Sequence, residues 1–169
     1  AIVFGATVLL HLPAVGNFFD NDDAWNYVLE AELAATGQGS AFHHGGSYLA
    51  YQNLHRLVAD ASWIPRWALF DLWMPGWKLP SVLVHGLNAV LLAFLVRRLV
   101  GQTAPAWLAG LLAGGSPLHP HTVSWIGGTY DLFLGAFLLG SLLAFLDRRF
   151  VLASVLALLA AIFLEISTK

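Results

Sequence analysis

The sequence predicts an all-α fold: a polytopic membrane helical bundle with about five transmembrane helices and a long, partly helical external loop between the first two. Composition is the first observation that predicts this class. Hydrophobic residues make up 58% of the 169 residues and charged residues only 11%, whereas about 25% of an average soluble domain is charged. The second observation is that the few charges lie in short stretches between long uncharged segments, such as residues 99–130.

The uncharged segments place five helices within a single membrane domain that covers residues 1–169. They are expected at about 1–15, 79–98, 103–117, 128–146 and 150–166, with the external loop at 16–78. Within the last two of these helices, the uncharged part is shorter than the roughly 20 residues that a membrane span needs. Asp131 and Glu165 are therefore expected inside, or at the mouth of, their helices. Because the chain opens without Met and ends at Ser-Thr-Lys, we expect it to be the N-terminal part of a longer protein.

Basic residues predict the orientation. If the later helices cross alternately, the Arg pairs at 97–98 and 148–149 lie on one side, and the positive-inside tendency makes that side cytoplasmic. We expect an integral membrane protein of a bacterial inner membrane or the endoplasmic reticulum, with its active face extracytoplasmic. The polar features expected on that face are Asp20 to Asp23, the turn at 117–129, Asp131 and Glu165.

Three carboxylates, Asp20, Asp22 and Asp23, follow directly after an uncharged run at the start of the chain. In one interpretation, Asn21 or Asp22 caps a helix and the acids favour the positive end of its dipole. In the other, one of the paired acids, Asp22 or Asp23, is a general base or a metal ligand in a partly desolvated site. The residue pattern alone leaves both interpretations open.

Histidines and an asparagine form the other polar positions of interest. His119 and His121 flank Pro120, and in an extended stretch alternate residues share a face. Without a placed carboxylate they do not define a metal site, so no metal ligand is assigned and a divalent metal stays an alternative. His85 and Asn88 are spaced i, i+3 on helix two and are expected to hydrogen-bond across helices.

The net charge and the tryptophans of the chain bear on two possible partners, a nucleic acid and a sugar. The formal net charge of -2, without a basic stripe, gives no reason to expect a nucleic acid partner. Tryptophans precede helix two, and a position at the headgroup level is a simpler interpretation than a sugar-stacking platform. They are Trp63, Trp67, Trp73 and Trp77.

Several stretches, in the same order, resemble membrane glycosyltransferases of the transmembrane and tetratricopeptide-repeat type. Residues 77–90, Trp-Lys-Leu-Pro-Ser-Val-Leu-Val-His-Gly-Leu-Asn-Ala-Val, resemble the helix-two signature "FHLxNLLLHxLNAxL" of that family. Residues 117–131 are similar, without a gap, to its "PLHxEAVAWISGRxDL". Asp22 and Asp23 resemble the paired acids of its first external loop, 51–54 its "YRPL", and 164–167 its "KES" segment.

The resemblance implies the C-type (GT-C) glycosyltransferase architecture. Such enzymes move a sugar, in this family mannose, from a polyprenyl-phosphate carrier in the membrane to an acceptor hydroxyl on a protein or glycan. By this resemblance Asp22 or Asp23 takes the proton of the acceptor hydroxyl. The positions expected to contact donor or acceptor are Gln52, His119, His121, Asp131 and Glu165.

The chain also departs from the family pattern at charged positions. His121 replaces a Glu, Thr129 an Arg and Leu164 a Lys, and the Arg and Pro of "YRPL" are Gln52 and Asn53. These losses of charge favour an alternative function as a noncatalytic GT-C-like subunit of a larger complex with other membrane subunits. A third interpretation, a transporter fragment, depends only on the intramembrane acids Asp131 and Glu165.

Overall fold

The computed structural model describes residues 1–16, 65–116 and 120–167, most of which are helical, and no strand occurs among them. The predicted all-α fold is therefore confirmed for the described chain. Beyond a short helical stretch at 65–70, six helices are present. They are α1 (Ile2–Val15), α2 (Met74–Val100), α3 (Thr103–Gly114), α4 (Pro120–Ser124), α5 (Thr129–Leu146) and α6 (Phe150–Ser167).

Two of these helices, α2 and α5, are long and apolar enough to cross a membrane. The apolar helices Ile2–Val15 and Thr103–Gly114 and the segment Phe150–Phe163 are shorter. Two candidate spans support an integral membrane protein, and the remaining three predicted crossings stay predictions. The chain divides into two compact units, residues 1–16 with 78–169, and residues 17–77.

Helix α2 begins five residues earlier than the charge pattern predicts, at Met74 instead of Leu79. Pro75 lies in its first turn, where the missing N–H of proline has no helical partner to lose. The indole N–H of Trp77 donates to the carbonyl of Asp71 at 2.8 Å, and this side chain is fully buried. Trp77 therefore packs inside the protein and does not face lipid, and its predicted position at the headgroup level stays a prediction.

Small residues let α3 approach α1 and α2 closely. Ala106, Gly110 and Gly114 are buried along one face of α3 at intervals of four residues. A Cβ atom at Gly110 would lie 2.9 Å from the carbonyl oxygen of Ala89, and one at Gly114 would overlap the side chain of Thr7. This close backbone approach is typical of helix pairs in membranes.

Helices α5 and α6 form an antiparallel hairpin. Its turn contains Arg148 in the left-handed region, with a φ of 60°. The Ser141 hydroxyl donates to the carbonyl of Ala153 at 2.8 Å near the turn. At the other end, the ring of Phe163 lies 5.5 Å from that of Phe133, measured between centroids. The end of α6 therefore lies beside the start of α5.

The Arg98 guanidinium and the Asp147 carboxylate form an ion pair at 2.8 Å. This contact joins the end of α2 to the turn between α5 and α6. It brings the 97–98 and 148–149 Arg pairs to the same end of the bundle, as the alternating topology predicts. We refer to this end of the bundle below as the charged end.

Candidate functional site

A row of polar side chains lies along one face of α2. Lys78, Ser81, His85 and Asn88 follow one another at intervals of three, four and three residues, so they share a face of the helix. The first three are buried, Lys78 to 1% exposure, although α2 is one of the two candidate spans. Polar groups inside an apolar helix are costly unless they are hydrogen-bonded within the protein.

Three of these side chains form hydrogen bonds to other helices. The hydroxyl oxygens of Ser81 and Thr129 are 2.6 Å apart. His85 Nε2 lies 3.3 Å from the carbonyl oxygen of Gly114. The Asn88 amide Nδ2 donates to the carbonyl of Leu132 at 2.8 Å. The prediction that His85 and Asn88 bond across helices is therefore confirmed.

These contacts also define the direction in which α2 and α5 run. Ser81 pairs with Thr129, Asn88 with Leu132 and, at the far end, Arg98 with Asp147. Because both residue numbers increase together, the two helices are parallel. The pair Ser81 and Thr129 marks the end opposite the charged end, and we call it the polar end.

A pair of buried histidines connects α1 to this face of α2. The rings of His11 and His85 meet edge to face, with centroids 4.8 Å apart. His11 Nδ1 donates to the carbonyl of Thr7 at 3.1 Å. Because a carbonyl oxygen only accepts, these bonds require the Nδ1–H form of His11 and the Nε2–H form of His85. His11 is thus a packing residue of α1.

A cavity of about 340 Å³ lies between α2 and α5, and we call it the α2–α5 cleft. Asp131, Thr122 and His85 lie toward its polar end, and Leu92 and Leu139 lie toward its apolar end. Its lining residues are His85, Asn88, Ala89, Leu92, Ala113, Thr122, Asp131, Leu132, Gly135 and Leu139. The cleft therefore has a few polar groups at one end and aliphatic walls elsewhere, which is the usual composition of a ligand pocket.

Asp131 lies in the first turn of α5, where the helix dipole favours a carboxylate. Its side chain is exposed and lines the cleft. Asn88 Oδ1 is buried in the cleft wall and has no hydrogen-bond partner among the described residues. Such an unpaired acceptor is uncommon and invites a functional explanation.

The other predicted site residues lie outside the described structure or are described only in their backbone. Asp22, Asp23, Gln52 and His119 fall outside the described residues. His121 belongs to α4, directly before Thr122 of the cleft. Glu165 belongs to the last turn of α6. The predicted convergence of these residues on one pocket stays a prediction.

The expected extended geometry of the histidine turn is wrong from Pro120 onward. Pro120 begins the helix α4, so His121 does not continue a stretch in which alternate residues share a face. The fixed φ of proline suits the first position of a helix, which explains this difference. Within the described chain, no three His, Asp or Glu side chains are close enough to hold a metal ion.

Sequence reasoning missed two aspects of the site. Thr122 was not singled out, and His85 and Asn88 were expected only to join helices, whereas they also line the cleft. The signal that could have found them is the polar spacing of three, four and three along an otherwise apolar segment. Four polar residues on one face of a candidate span indicate an internal polar surface.

Comparison with known proteins adds one relative. No protein-family model and no solved structure matches the chain. The chain is 28% identical over 155 residues to the protein O-mannosyl-transferase tmtc2 of Xenopus laevis. The match covers 83% of this chain and 18% of the relative, so the chain spans less than a fifth of that protein's length. The resemblance is thereby confirmed as a distant homology of this chain to the protein O-mannosyl-transferase tmtc2.

Proposed function

We propose that the protein acts as a glycosyltransferase that moves a sugar from a polyprenyl-phosphate carrier to an acceptor hydroxyl on the extracytoplasmic side. The mannose and the protein acceptor are proposed by analogy with the name of the relative. One observation carries the proposal. The two runs with the strongest family resemblance, 77–90 and 117–131, supply most of the polar lining of the α2–α5 cleft and are bonded to each other through Ser81 and Thr129.

In the proposed reaction, the carboxylate of Asp22 or Asp23 takes the proton of the acceptor hydroxyl. The acceptor oxygen attacks the anomeric carbon and forms the new glycosidic bond. The bond from that carbon to the carrier phosphate breaks, and the phosphate leaves with the electron pair. Gln52, His119, His121 and Glu165 are proposed to contact the donor or the acceptor.

In this reaction, the described residues would hold the first turn of α5, which carries Asp131, in position. The bonds from Ser81 to Thr129 and from Asn88 to Leu132 attach the first turn of α5 to α2. Asp131 belongs to that turn, and its carboxylate can accept hydrogen bonds from sugar hydroxyls. Such anchoring matters because small displacements of a contact residue reduce the rate strongly.

Transfer assayed in vesicles, with a polyprenyl-phosphate mannose donor and a Ser/Thr peptide, tests the proposal. Replacing the catalytic acid by Asn keeps its size but removes its basicity, so transfer should fall by roughly a hundredfold to ten-thousandfold. We favour Asp22 as the base. Asp147→Asn is the matched control, because this acid lies at the charged end. Full activity of the double variant Asp22→Asn, Asp23→Asn would refute the catalytic assignment.

A noncatalytic role in a larger membrane complex is the second candidate, and one position favours it. The family that this chain resembles has an Arg at the position of Thr129. Thr129 is buried to 2% exposure and is hydrogen-bonded to Ser81. This position therefore contributes packing to the protein and no positive charge for a leaving phosphate. Absence of transfer by the intact wild-type protein with every carrier tested would favour this candidate.

A further inference from the structure

We propose that the charged end of the bundle binds the anionic head group of a membrane phospholipid, whose phosphate lies among Arg97, Arg148 and Arg149. This binding surface does not depend on the protein being a transferase. Both candidate membrane spans finish at the charged end, α2 at Val100 and α5 at Leu146. The charged end therefore lies at the level of the lipid head groups when these helices cross a membrane.

An ion pair makes one surface from two parts of the chain. The guanidinium of Arg98 contacts the carboxylate of Asp147 at 2.8 Å, and this contact brings the two Arg pairs together. Four arginines and one aspartate give this end a formal net charge of +3, and all five side chains are exposed. Within the described part of the chain, Arg97, Arg148 and Arg149 form no ion pair. A surface with three such cations at a membrane edge matches a partner that carries a phosphate.

Two helices begin at this end, and their N-termini also favour an anion. Helix α3 begins at Thr103 and α6 at Phe150, and neither has an acidic residue in its first turn. Gln102, the N-cap of α3, makes no side-chain hydrogen bond to the helix. The free N–H groups of a helix start attract negative charge. These two helix starts therefore add to the attraction of the arginines for a phosphate.

The backbone of Arg148 adopts a conformation that favours glycine. Its φ is 60°, in the left-handed region, where a side chain has a steric cost. The turn between α2 and α3 has the same conformation at Gly101, with a φ of 75°, and glycine adopts it without that cost. Helix dipoles and membrane orientation favour arginines near this end, but they do not require one at the strained position. Strain of this kind occurs at functional sites, which supports a binding role for Arg148.

Two exposed aromatic rings make the surface amphipathic. Phe145 lies in the last turn of α5 and Phe150 in the first turn of α6, and they are 59% and 57% exposed. Their rings meet edge to face, with centroids 5.7 Å apart. Such rings can contact the upper part of an acyl chain while the guanidinium groups contact the phosphate. This arrangement favours a lipid over a soluble phosphate, which has no apolar part to contact the rings.

Native mass spectrometry of the intact protein in a neutral detergent, titrated with single lipids, tests the proposal. Phosphatidylglycerol and phosphatidylcholine with identical acyl chains share a phosphate, but only the first has a net negative head group. Each arginine near an anionic lipid contributes a factor of about five in affinity, and one phosphate can contact two guanidinium groups. Phosphatidylglycerol should therefore bind roughly twentyfold more tightly than phosphatidylcholine. Equal dissociation constants for the two lipids would overturn the proposal.

Charge-removing variants locate the binding surface. Arg97→Gln and Arg149→Gln should each weaken the binding of phosphatidylglycerol about fivefold. Arg66→Gln is the matched control, because it removes the same charge from the other compact unit and should leave the affinity unchanged. If the control weakens binding as much as the two variants do, or if neither variant weakens it, the proposal fails.

Two substitutions of Arg148 separate its charge from its backbone conformation. Arg148→Lys keeps the charge and should keep the preference for phosphatidylglycerol. Arg148→Gly relieves the left-handed strain, so it should melt no lower than the wild type, yet it should bind this lipid about fivefold more weakly. A glycine variant that binds the lipid as tightly as the wild type would remove Arg148 from the surface and contradict the proposal.

Glycerol 3-phosphate distinguishes a lipid from a soluble anion. At concentrations at which phosphatidylglycerol binds, it should neither bind nor displace the lipid, because it cannot contact the exposed rings. Binding as tight as that of the lipid would show a site for a soluble phosphate and refute the lipid assignment. Melting in the same detergent identifies any variant that fails to fold, and the remaining variants then decide by the same criteria.

Discussion

The two ends of the parallel pair α2 and α5 are joined by different chemistry. At the charged end, Arg98 and Asp147 form an ion pair whose side chains are 58% and 49% exposed. At the polar end, Ser81 and Thr129 share a hydrogen bond between neutral groups that are fully shielded from solvent. An exposed ion pair stabilises a protein by only about 0–1 kcal/mol. A buried donor or acceptor that loses its partner costs about 1–3 kcal/mol. The stability of the helix pair should therefore depend on its polar end.

The largest effect is expected where α3 supports the polar end. Gly114 accepts the bond from His85 and packs against Thr7, so Gly114→Leu would force a side chain into occupied space. Overpacking of this kind costs about 3 kcal/mol, which corresponds to a melting temperature lower by roughly 6–12 °C. Thermal unfolding in detergent would measure it. Gly5→Leu is the control, since a Cβ at Gly5 meets nothing within 4 Å. Equal melting of both variants would contradict the close packing of α3.

An intermediate effect is expected for the hydroxyl pair. Ser81→Ala leaves the buried Thr129 hydroxyl without this partner, and Thr129→Val does the same to Ser81, so each should cost about 1–3 kcal/mol. The double variant should cost less than the sum of the two, because no polar group is then left unpaired. Melting of the four proteins in this cycle provides the test. Strict additivity would show that the two hydroxyls do not interact.

The smallest effect is expected at the charged end. Asp147→Asn removes the ion pair with Arg98 and should change stability by less than about 1 kcal/mol. The small difference from the wild type should shrink further in 1 M salt, since exposed charges are screened there. Melting at low and high salt checks this. A loss as large as that of the hydroxyl variants would reverse the comparison between the two ends.

Local features of the structure could be predicted from the sequence because they depend on residues that are close along the chain. Uncharged runs bounded by Arg pairs placed the helices near their observed positions, and the i, i+3 spacing of His85 and Asn88 predicted bonds across helices. Asp131 was expected inside its helix or at the mouth of it for the same reason. A charge in an apolar segment is costly, so its surroundings are constrained.

The tertiary structure alone decided which helices meet and along which faces. Helix α5 has few polar residues, so its hydrophobic pattern does not show which of its faces packs against protein. The polar face of α2 indicates an internal surface but does not show which helix it meets. For that reason the burial of Trp77, the inclusion of Thr122 in the cleft and the parallel register of Ser81 with Thr129 could not be inferred from spacing. The sequence by itself determined the helical class and the polar positions. The packing of small residues and cross-helix hydrogen bonds decided which of those positions share a site, because such contacts join residues that are distant along the chain.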